Sequence, residues 1–256
     1  MTILVTGARG SVARALIDQL LAEGEKVRAS SSSPDAVVPD GVELVPGFDL
    51  TGVTKVFLYA KPEVIPEFLA AASGVEHIVL LSSLASAEPE MAPGIAEWHL
   101  AAERPIEASG IPWTFLRPGA FATNTLAWAP GIREHGVARE AFPEMHMNSV
   151  HEQDIAQLAR HALTRPGHAG KAYSLTGPES LSVRQHVDLI GAAIGRSLKV
   201  EKLPREQATH LPDAALDAME AAGTTPQPVG PTLEDHIGEP ARTFATWAAD
   251  HADDFR

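Results

Sequence analysis

The sequence predicts an α/β fold, a doubly wound parallel sheet with helices on both faces, followed by a smaller C-terminal region. Short β-branched apolar runs alternate with helix-length amphipathic segments through the first half. Strands separated by helices form parallel sheets, because each helix carries the chain back across the sheet. The second half lacks this alternation. We therefore expect a sheet domain over residues 1–117 and a mixed region, with segments packing back on the sheet, over residues 118–256.

Six apolar runs in the first half have the length and β-branched content of buried strands. We predict the strands Thr2–Thr6, Lys26–Ser30, Val42–Val45, Val56–Ala60, His77–Ser82 and Trp113–Arg117. Apolar residues recur at helical spacing over Ser11–Glu23, where Gly24 is the expected stop, and over Val64–Ser73. Only Pro46–Lys55 separates the third strand from the fourth. That is short for a crossover between parallel strands, so either the crossover is a tight loop or the strand bounds are wrong there.

The second half combines helices with fewer strands. We predict helices over Asp154–Leu163, Asp213–Ala222 and Ala241–His251 and a strand over Lys171–Leu175. Ser182 and Gln185 have the spacing of a capping box ahead of an apolar-periodic stretch that runs to Ile194. Proline and glycine are frequent in Thr224–Pro231, which predicts a loop.

The charge and the missing cysteines exclude several classes of function. The chain has 20 Lys and Arg against 33 Asp and Glu, a net charge of −13, which repels nucleic acid and anionic lipid. With no cysteine, thiol nucleophiles and thiolate metal sites are excluded. No signal peptide or membrane-length apolar run is present. We expect a cytoplasmic protein that binds no nucleic acid and no membrane. The 11 His form no compact ligand motif, so we expect no metal.

The turn after the first strand has the form of a phosphate-binding loop. Its sequence, TGARGSVA at 6–13, supplies glycines that allow a tight turn and close approach of a ligand. The helix that follows presents free N–H groups and a partial positive charge to a pyrophosphate. An ordinary turn that needs glycine is the alternative, but the strand before and the helix after favour a dinucleotide site. The expected cofactor-binding residues here are Gly7, Arg9, Gly10, Ser11 and Val12.

The end of the second strand indicates which dinucleotide binds. NAD-specific sites use an Asp or Glu there to bind both ribose hydroxyls, and here no carboxylate appears before Asp35. The hydroxyls of Ser30, Ser31 and Ser32 could donate to a 2′-phosphate. Arg9 could reach the same phosphate with its planar guanidinium. A serine-rich surface loop and a solvated arginine are the alternative. We expect NADP(H) as the cofactor.

The chain resembles the atypical short-chain dehydrogenases of the NmrA-like, NAD(P)-binding group. The matching segments run in family order: TGARG at 6–10, LLSSLA at 80–85, WTFLRPG at 113–119, DIA at 154–156 and AYSLTG at 172–177. The resemblance implies a Rossmann-like domain and a smaller C-terminal substrate region. It further implies that Arg9, just before the second glycine, contacts the 2′-phosphate, and that the loop with Pro118 and Gly119 covers the nicotinamide.

Two departures from the group affect the adenosine side. The segment GFDL at 47–50 runs almost directly into the next strand, as if the helix that follows it in relatives were deleted. Relatives often carry an arginine near position 32, where this chain has Ser32. That difference leaves Arg9, and with it Arg28, to supply the positive charge for a phosphate.

The Tyr-x-x-x-Lys pair of orthodox short-chain dehydrogenases is replaced. His99 and Glu103 stand at the corresponding spacing, four apart on one helix face. A histidine beside a carboxylate is a reasonable general acid, and a surface pair without a role is the alternative. Ser83 follows the fifth strand, at the edge where ligands bind in such sheets, and could donate to a substrate carbonyl. Ser82 could do the same or contact the cofactor.

Other residues extend the candidate site. Tyr59 and Ala60 end the fourth strand, near the expected nicotinamide ribose. The proton required after reduction of a carbonyl could come from His99 backed by Glu103, from Ser83 relaying a solvent proton, from Tyr59, or from a phenol of the substrate. An apolar cleft, or else ordinary core packing, is expected of Phe121, Trp128, Phe142 and Met145.

Together these patterns predict an NADPH-dependent reductase of a ketone or quinone on a bulky apolar or aromatic small molecule. We expect a monomer or homodimer. Two alternatives stay open. One is a redox-sensing regulator that binds the dinucleotide without turnover, which the missing Tyr and Lys favour. The other is a cyclase or isomerase that has kept a dinucleotide-binding fold.

Overall fold

A computed structural model of the chain describes residues 2–33, 36–208 and 213–256, and it has the predicted α/β fold. Asp35 lies outside the described residues. The chain is divided into two compact units. The first comprises the residues up to Pro118 together with Glu152–Leu175, and the second comprises Gly119–His151 and Thr176–Arg256.

The first unit is built on a parallel sheet of seven strands, in the order β3-β2-β1-β4-β5-β6-β9. Its strands are β1 (Thr2–Thr6), β2 (Lys26–Ser30), β3 (Glu43–Val45), β4 (Lys55–Tyr59), β5 (His77–Leu81), β6 (Trp113–Pro118) and β9 (Lys171–Leu175). Its helices are α1 (Ser11–Ala22), α2 (Ile65–Ala71), α3 (Pro93–Ala108) and α5 (Glu152–Thr164). The strand order reverses at β1, which has β2 on one side and β4 on the other. Ligands bind at such a switch point, beyond the carboxyl ends of the strands.

Continuous apolar strands explain why both faces of this sheet are covered. All five residues of β5 are buried, and so are four of the five in β1. Such runs are typical of parallel sheets with helices on both sides. Along α1, the buried residues Val12, Leu16 and Leu20 recur at helical spacing and form the face that packs inward.

The connection from β3 to β4 is a loop, as its shortness suggested. The chain leaves β3 at the sheet edge and reaches β4 beside β1 without an intervening helix. Phe48 and Leu50, both in this loop, are partly buried and pack on the core. The rings of Phe48 and Phe68 meet edge to face, with centroids 5.3 Å apart. Two apolar side chains of the loop thus cover this part of the core.

The second unit has its own core and two small sheets. One sheet pairs β7 (Val137–Glu140) with β11 (Lys199–Lys202), and the other pairs β8 (His146–Met147) with β10 (Leu181–Ser182). Its helices are α4 (Ala129–His135), α6 (Val183–Ile194), α7 (Asp213–Ala222), α8 (Leu233–Ile237) and α9 (Phe244–Asp250). The predicted capping box of Ser182 and Gln185 is confirmed at the start of α6. Helix α9 is shorter than predicted because Thr243 caps it by accepting from the N–H of Thr246.

Candidate functional site

The glycine turn after β1 is folded around the ring of Tyr59. Gly7 has φ +69°, a left-handed conformation that favours glycine. A Cβ on Gly7 would lie 2.7 Å from Tyr59 Cδ2, and one on Gly10 would lie 2.4 Å from Tyr59 Oη. Real Cβ atoms do not approach other atoms this closely, so both positions require glycine for steric reasons. Tyr59, which the sequence placed at the end of the fourth strand, thus packs its ring on the turn.

The amino end of α1 presents hydrogen-bond donors beside this turn. Gly10 is the N-cap and supplies no side chain to cap the helix. Among the described residues, no group accepts from the backbone N–H of Ser11 or of Val12. The N–H of Ala13 bonds to the hydroxyl of Tyr59. Free donors at the positive end of a helix, beside a glycine turn that brings the backbone close, fit a pyrophosphate group.

The end of β2 is joined to the turn, since the N–H of Ala8 donates to the carbonyl of Ser30 at 3.0 Å. The hydroxyl hydrogen of Ser30 is used inside the protein, on the carbonyl of Gly47 at 2.6 Å. The hydroxyl of Ser31 accepts from the N–H of Ser33, which leaves its hydrogen for another acceptor, and Ser32 is exposed. Ser31 and Ser32 therefore keep donors for a ligand.

The two arginines assigned to the phosphate have different surroundings. Arg28 donates to Glu43 at 2.9 Å and to the carbonyls of Asp49 and Thr51. The Nε and Nη1 donors of Arg28 are therefore engaged within the protein, and this side chain is paired with the carboxylate of Glu43. Arg9 is exposed, and within the described part of the chain it makes no ion pair or hydrogen bond.

On the other side of the switch point, α3 buries a carboxylate. Glu103 is 3% exposed and accepts from Ser82 Oγ at 2.5 Å and from Arg117 Nε and Nη2 at 3.0 and 2.5 Å. Glu103 thus forms a buried ion pair with Arg117 on β6, and its negative charge also favours protonation of His99, as predicted. The hydroxyl hydrogen of Ser82 is likewise used within the protein. Helix α3 is continuous through Pro105.

His99 is half-buried beside this ion pair. Its Nδ1 is buried and has no hydrogen-bond partner among residues 2–33, 36–208 and 213–256. Burial lowers the pKa of His99, and the negative charge of Glu103 opposes that shift. The ring is therefore neutral near pH 7, with one nitrogen that no protein group engages.

The remaining predicted residues lie at strand ends. The hydroxyl of Ser83 caps a short helical turn by accepting from the N–H of Ala85 at 3.3 Å, so its hydrogen remains to be donated. Ala60 is buried at the end of β4, and its N–H donates to the carbonyl of Leu81. Pro118 ends β6 and Gly119 begins the second unit.

Sequence reasoning missed the role of Arg117. The signal was available, because Glu103 lies between Ala102 and Ile106 on the apolar face of its helix. A carboxylate on a buried face requires a cation, and the strand that follows carries Arg117 at its end.

The second unit contains a cavity of about 340 Å³. Its lining residues are Ala127, Trp128, Gly131, Val137, Arg139 and Leu203. Of the four residues predicted for an apolar cleft, only Trp128 lines this cavity; Phe142 packs in a separate apolar cluster. The described residues contain no group of three or more His, Asp or Glu placed to hold a metal ion. In the same part of the chain, every helix is too short or too polar to cross a membrane.

Comparison with known proteins reveals full-length relatives. The family described as NAD(P)H-binding matches residues 68–166. The chain is 36% identical to a (4-alkanoyl-5-oxo-2,5-dihydrofuran-3-yl)methyl phosphate reductase of Streptomyces griseus, over 99% of both chains. It is 33% identical to an NAD(P)H azoreductase of Xenophilus azovorans, over 79% of this chain and 77% of that one. A crystal structure of an Escherichia coli NADPH-dependent quinone oxidoreductase, in complex with NADPH, superposes with a TM-score of 0.76 at 26% identity, over 97% of this chain and 99% of that one.

Proposed function

The chain belongs to the NmrA-like, NAD(P)H-binding group of atypical short-chain dehydrogenases, and on that premise we propose that it reduces conjugated, electron-poor small molecules such as quinones. It is an NAD(P)H-dependent oxidoreductase, with NADP(H) as its cofactor. The observation that carries the proposed substrate class is at α3, where the positions of the catalytic Tyr and Lys hold His99 and a Glu103 already paired with Arg117.

The cofactor's pyrophosphate is held by the glycine turn and the amino end of α1. Gly7 and Gly10 bring the backbone close, and the N–H groups of Ser11 and Val12 donate to phosphate oxygens. This assignment rests on the donors left without acceptors at this end of the helix among the described residues.

The 2′-phosphate is held by Arg9, Ser31 and Ser32. The bond between Ala8 and Ser30 fixes the serine loop beside the turn that carries Arg9. Arg9 brings a positive charge into a chain of net charge −13 and has no competing carboxylate partner in the described part of the chain. A guanidinium with two hydroxyl donors suits a doubly charged phosphate ester. NADH lacks the 2′-phosphate and therefore makes none of these contacts.

When bound, NADPH supplies a hydride, and a conjugated acceptor that receives it is left with a delocalised negative charge. Such a charge needs less help from a positioned acid than the localised alkoxide from an isolated ketone. The named relatives act on molecules of this kind: a quinone, an azo compound, and a furanone whose ring double bond is conjugated with carbonyl groups. A site without the Tyr and Lys pair is consistent with that chemistry.

The proton is delivered at His99 or at Ser83. A neutral His99 ring carries one N–H that it can donate, and its Nδ1 is buried without a hydrogen-bond partner among the described residues. Ser83 Oγ accepts from Ala85 and retains a hydrogen to orient a carbonyl oxygen. Glu103 and Arg117 position the helix that carries His99 and the end of β6.

The proposed substrate is apolar or aromatic. Three large apolar residues on or just before α3 are exposed, Met91 by 58%, Ile95 by 44% and Trp98 by 45%. Ile95 and Trp98 stand three apart within α3, which places them on one side of the helix. Trp98 also meets the ring of His99, with centroids 4.9 Å apart. An apolar ring lying on this stripe would be beside the proposed proton donor.

Turnover tests the proposal against its alternatives. The protein is mixed with NADPH and naphthoquinone, and NADPH consumption is followed together with the appearance of the hydroquinone. A reductase consumes NADPH in proportion to the product formed. A sensor, which the absence of the Tyr and Lys pair favoured, binds NADPH without consuming it. Neither a sensor nor a cyclase or isomerase agrees with the reductase activities of the named relatives.

A further inference from the structure

Tyr59 is the side chain in closest contact with the glycine turn. Its ring lies against Gly7, and its hydroxyl lies against Gly10, where an added Cβ would be only 2.4 Å from Oη. The backbone N–H of Tyr59 also bonds to Thr6 Oγ1 at 3.2 Å. The turn and this residue are therefore built as one unit, and the phenol lies where the pyrophosphate is expected.

The hydroxyl oxygen of Tyr59 already accepts one hydrogen bond, whereas the hydroxyl hydrogen is not donated to any described group. It accepts from the N–H of Ala13, in the first turn of α1. Its own hydrogen has no acceptor among the residues that the structure describes. Burial raises the pKa of the phenol, an effect that the bond from Ala13 only opposes. The group is thus a neutral donor at physiological pH.

We propose that Tyr59 is a pyrophosphate-binding residue, which accepts from Ala13 and donates its phenolic hydrogen to a phosphate oxygen. The proposal rests on the proposed NADP(H) site. It extends that site, because the amino end of α1 then binds the anion through a side chain as well as through its free backbone N–H groups. The pyrophosphate is common to NADPH and NADH, so Tyr59 strengthens the binding of both dinucleotides and does not discriminate between them. Arg9, in contrast, acts on the 2′-phosphate alone.

Calorimetric titration of Tyr59→Phe with NADPH and with NADH tests this role. The variant keeps the ring against Gly7 and loses only the hydroxyl. The variant loses a hydrogen bond from the phenol to a charged phosphate oxygen. We therefore expect both dinucleotides to bind about tenfold more weakly, with the ratio of their affinities unchanged. Unchanged or tighter binding would show that the phenol merely fills or blocks the turn, and would overturn the proposal. Loss confined to NADPH would overturn it as well.

A pair of stability measurements tests the contact itself. Gly10 has an ordinary φ of −70°, so alanine there is disfavoured mainly by Tyr59 Oη. Without the hydroxyl, the nearest ring atom to the new Cβ is Cζ at 3.0 Å. Gly10→Ala should therefore lower the unfolding midpoint more in the wild-type background than in the Tyr59→Phe background. Equal effects in the two backgrounds would contradict the placement of the phenol.

The two proposals fail in distinguishable ways. If the wild-type protein binds neither dinucleotide, the proposed function fails and the role of Tyr59 fails with it. If the wild type binds both and Tyr59→Phe binds them equally well, only the role of Tyr59 fails.

Discussion

The two edges of the candidate site use their polar groups in opposite ways. At the glycine turn, Arg9, the first N–H groups of α1 and the hydroxyl hydrogen of Tyr59 have no acceptor within the described residues. At α3, the charged side chains are paired with one another, because Glu103 accepts hydrogen bonds from Ser82 and Arg117. Among the described residues at that edge, the hydroxyl hydrogen of Ser83 is left for a ligand, and His99 Nδ1 is buried without a partner.

This difference suggests separate roles for the two edges: the glycine turn would bind the cofactor, and the α3 edge would take part in the reaction. Donors without acceptors are costly unless a ligand or solvent satisfies them, and we therefore propose that the turn is a preformed binding surface for an anion. The α3 edge contributes rigidity and little charge. Under the proposed function, a reaction at that edge depends on a substrate that stabilises its own negative charge.

The largest effect is expected from breaking the α3 network. Glu103→Ala leaves the side chains of Arg117 and Ser82 without their partner, and loss of one member of a buried ion pair costs about 3–5 kcal/mol. Urea unfolding measures the loss. Glu97→Ala, on the same helix, removes an ion pair with Arg104 that is exposed on both sides, and should change the unfolding free energy by less than about 1 kcal/mol. Similar losses in the two variants would contradict the structural role of Glu103.

Acid should act on stability through two buried histidines. Burial lowers the pKa values of His77 and His186 to about 4. Between pH 6.5 and 4 the unfolded chain therefore binds more protons than the folded one. The contribution of these two histidines to stability is constant above pH 6.5 and falls as the pH is lowered through this range, by about 3 kcal/mol for each histidine. Unfolding titrations across the range measure the slope, which His186→Gln should reduce; an unchanged slope would contradict the assignment.

Removal of Arg9 should separate the two dinucleotides. Arg9→Ala loses a charged hydrogen bond to the 2′-phosphate, so NADPH should bind about 10- to 100-fold more weakly while NADH stays within about twofold. Arg196→Ala is the matched control, since Arg196 is also exposed and without an ion pair in the described part of the chain. It should alter neither affinity. Calorimetry that gave equal losses of NADPH and NADH for Arg9→Ala would refute the phosphate assignment.

A smaller effect is expected at the α3 edge from His99→Phe. The rate of hydride transfer in a single turnover should fall at least about tenfold, the low end for loss of a positioned acid, at unchanged affinity for NADPH. Ser83→Ala should cost less, because it orients the carbonyl. The wild-type rate should rise as the pH falls through the pKa of His99, which burial holds below 6.5, and the His99→Phe rate should not. If neither variant slows the chemical step, the substrate supplies the proton.

The sheet could be predicted from the sequence, and the pairing of its side chains could not. Buried strands such as β5 are readable because their apolar runs are continuous, and the capping box of Ser182 depends only on local spacing. Whether a candidate residue is free depends on groups far along the chain. Ser30 is engaged by Gly47, and Glu103 by Arg117, contacts that only the packed fold specifies.

The most direct test of the account compares two acceptors of the same ring size. Naphthoquinone and tetralone are both bicyclic, but only the quinone delocalises the charge left by hydride addition. With NADPH in excess, we predict a kcat/KM at least about 100-fold higher for naphthoquinone, because the localised alkoxide left by the isolated ketone needs a stronger acid than the neutral His99 or Ser83 supplies. Equal values, or a higher value for tetralone, would show that the α3 edge supplies a full acid catalyst, and would contradict the account.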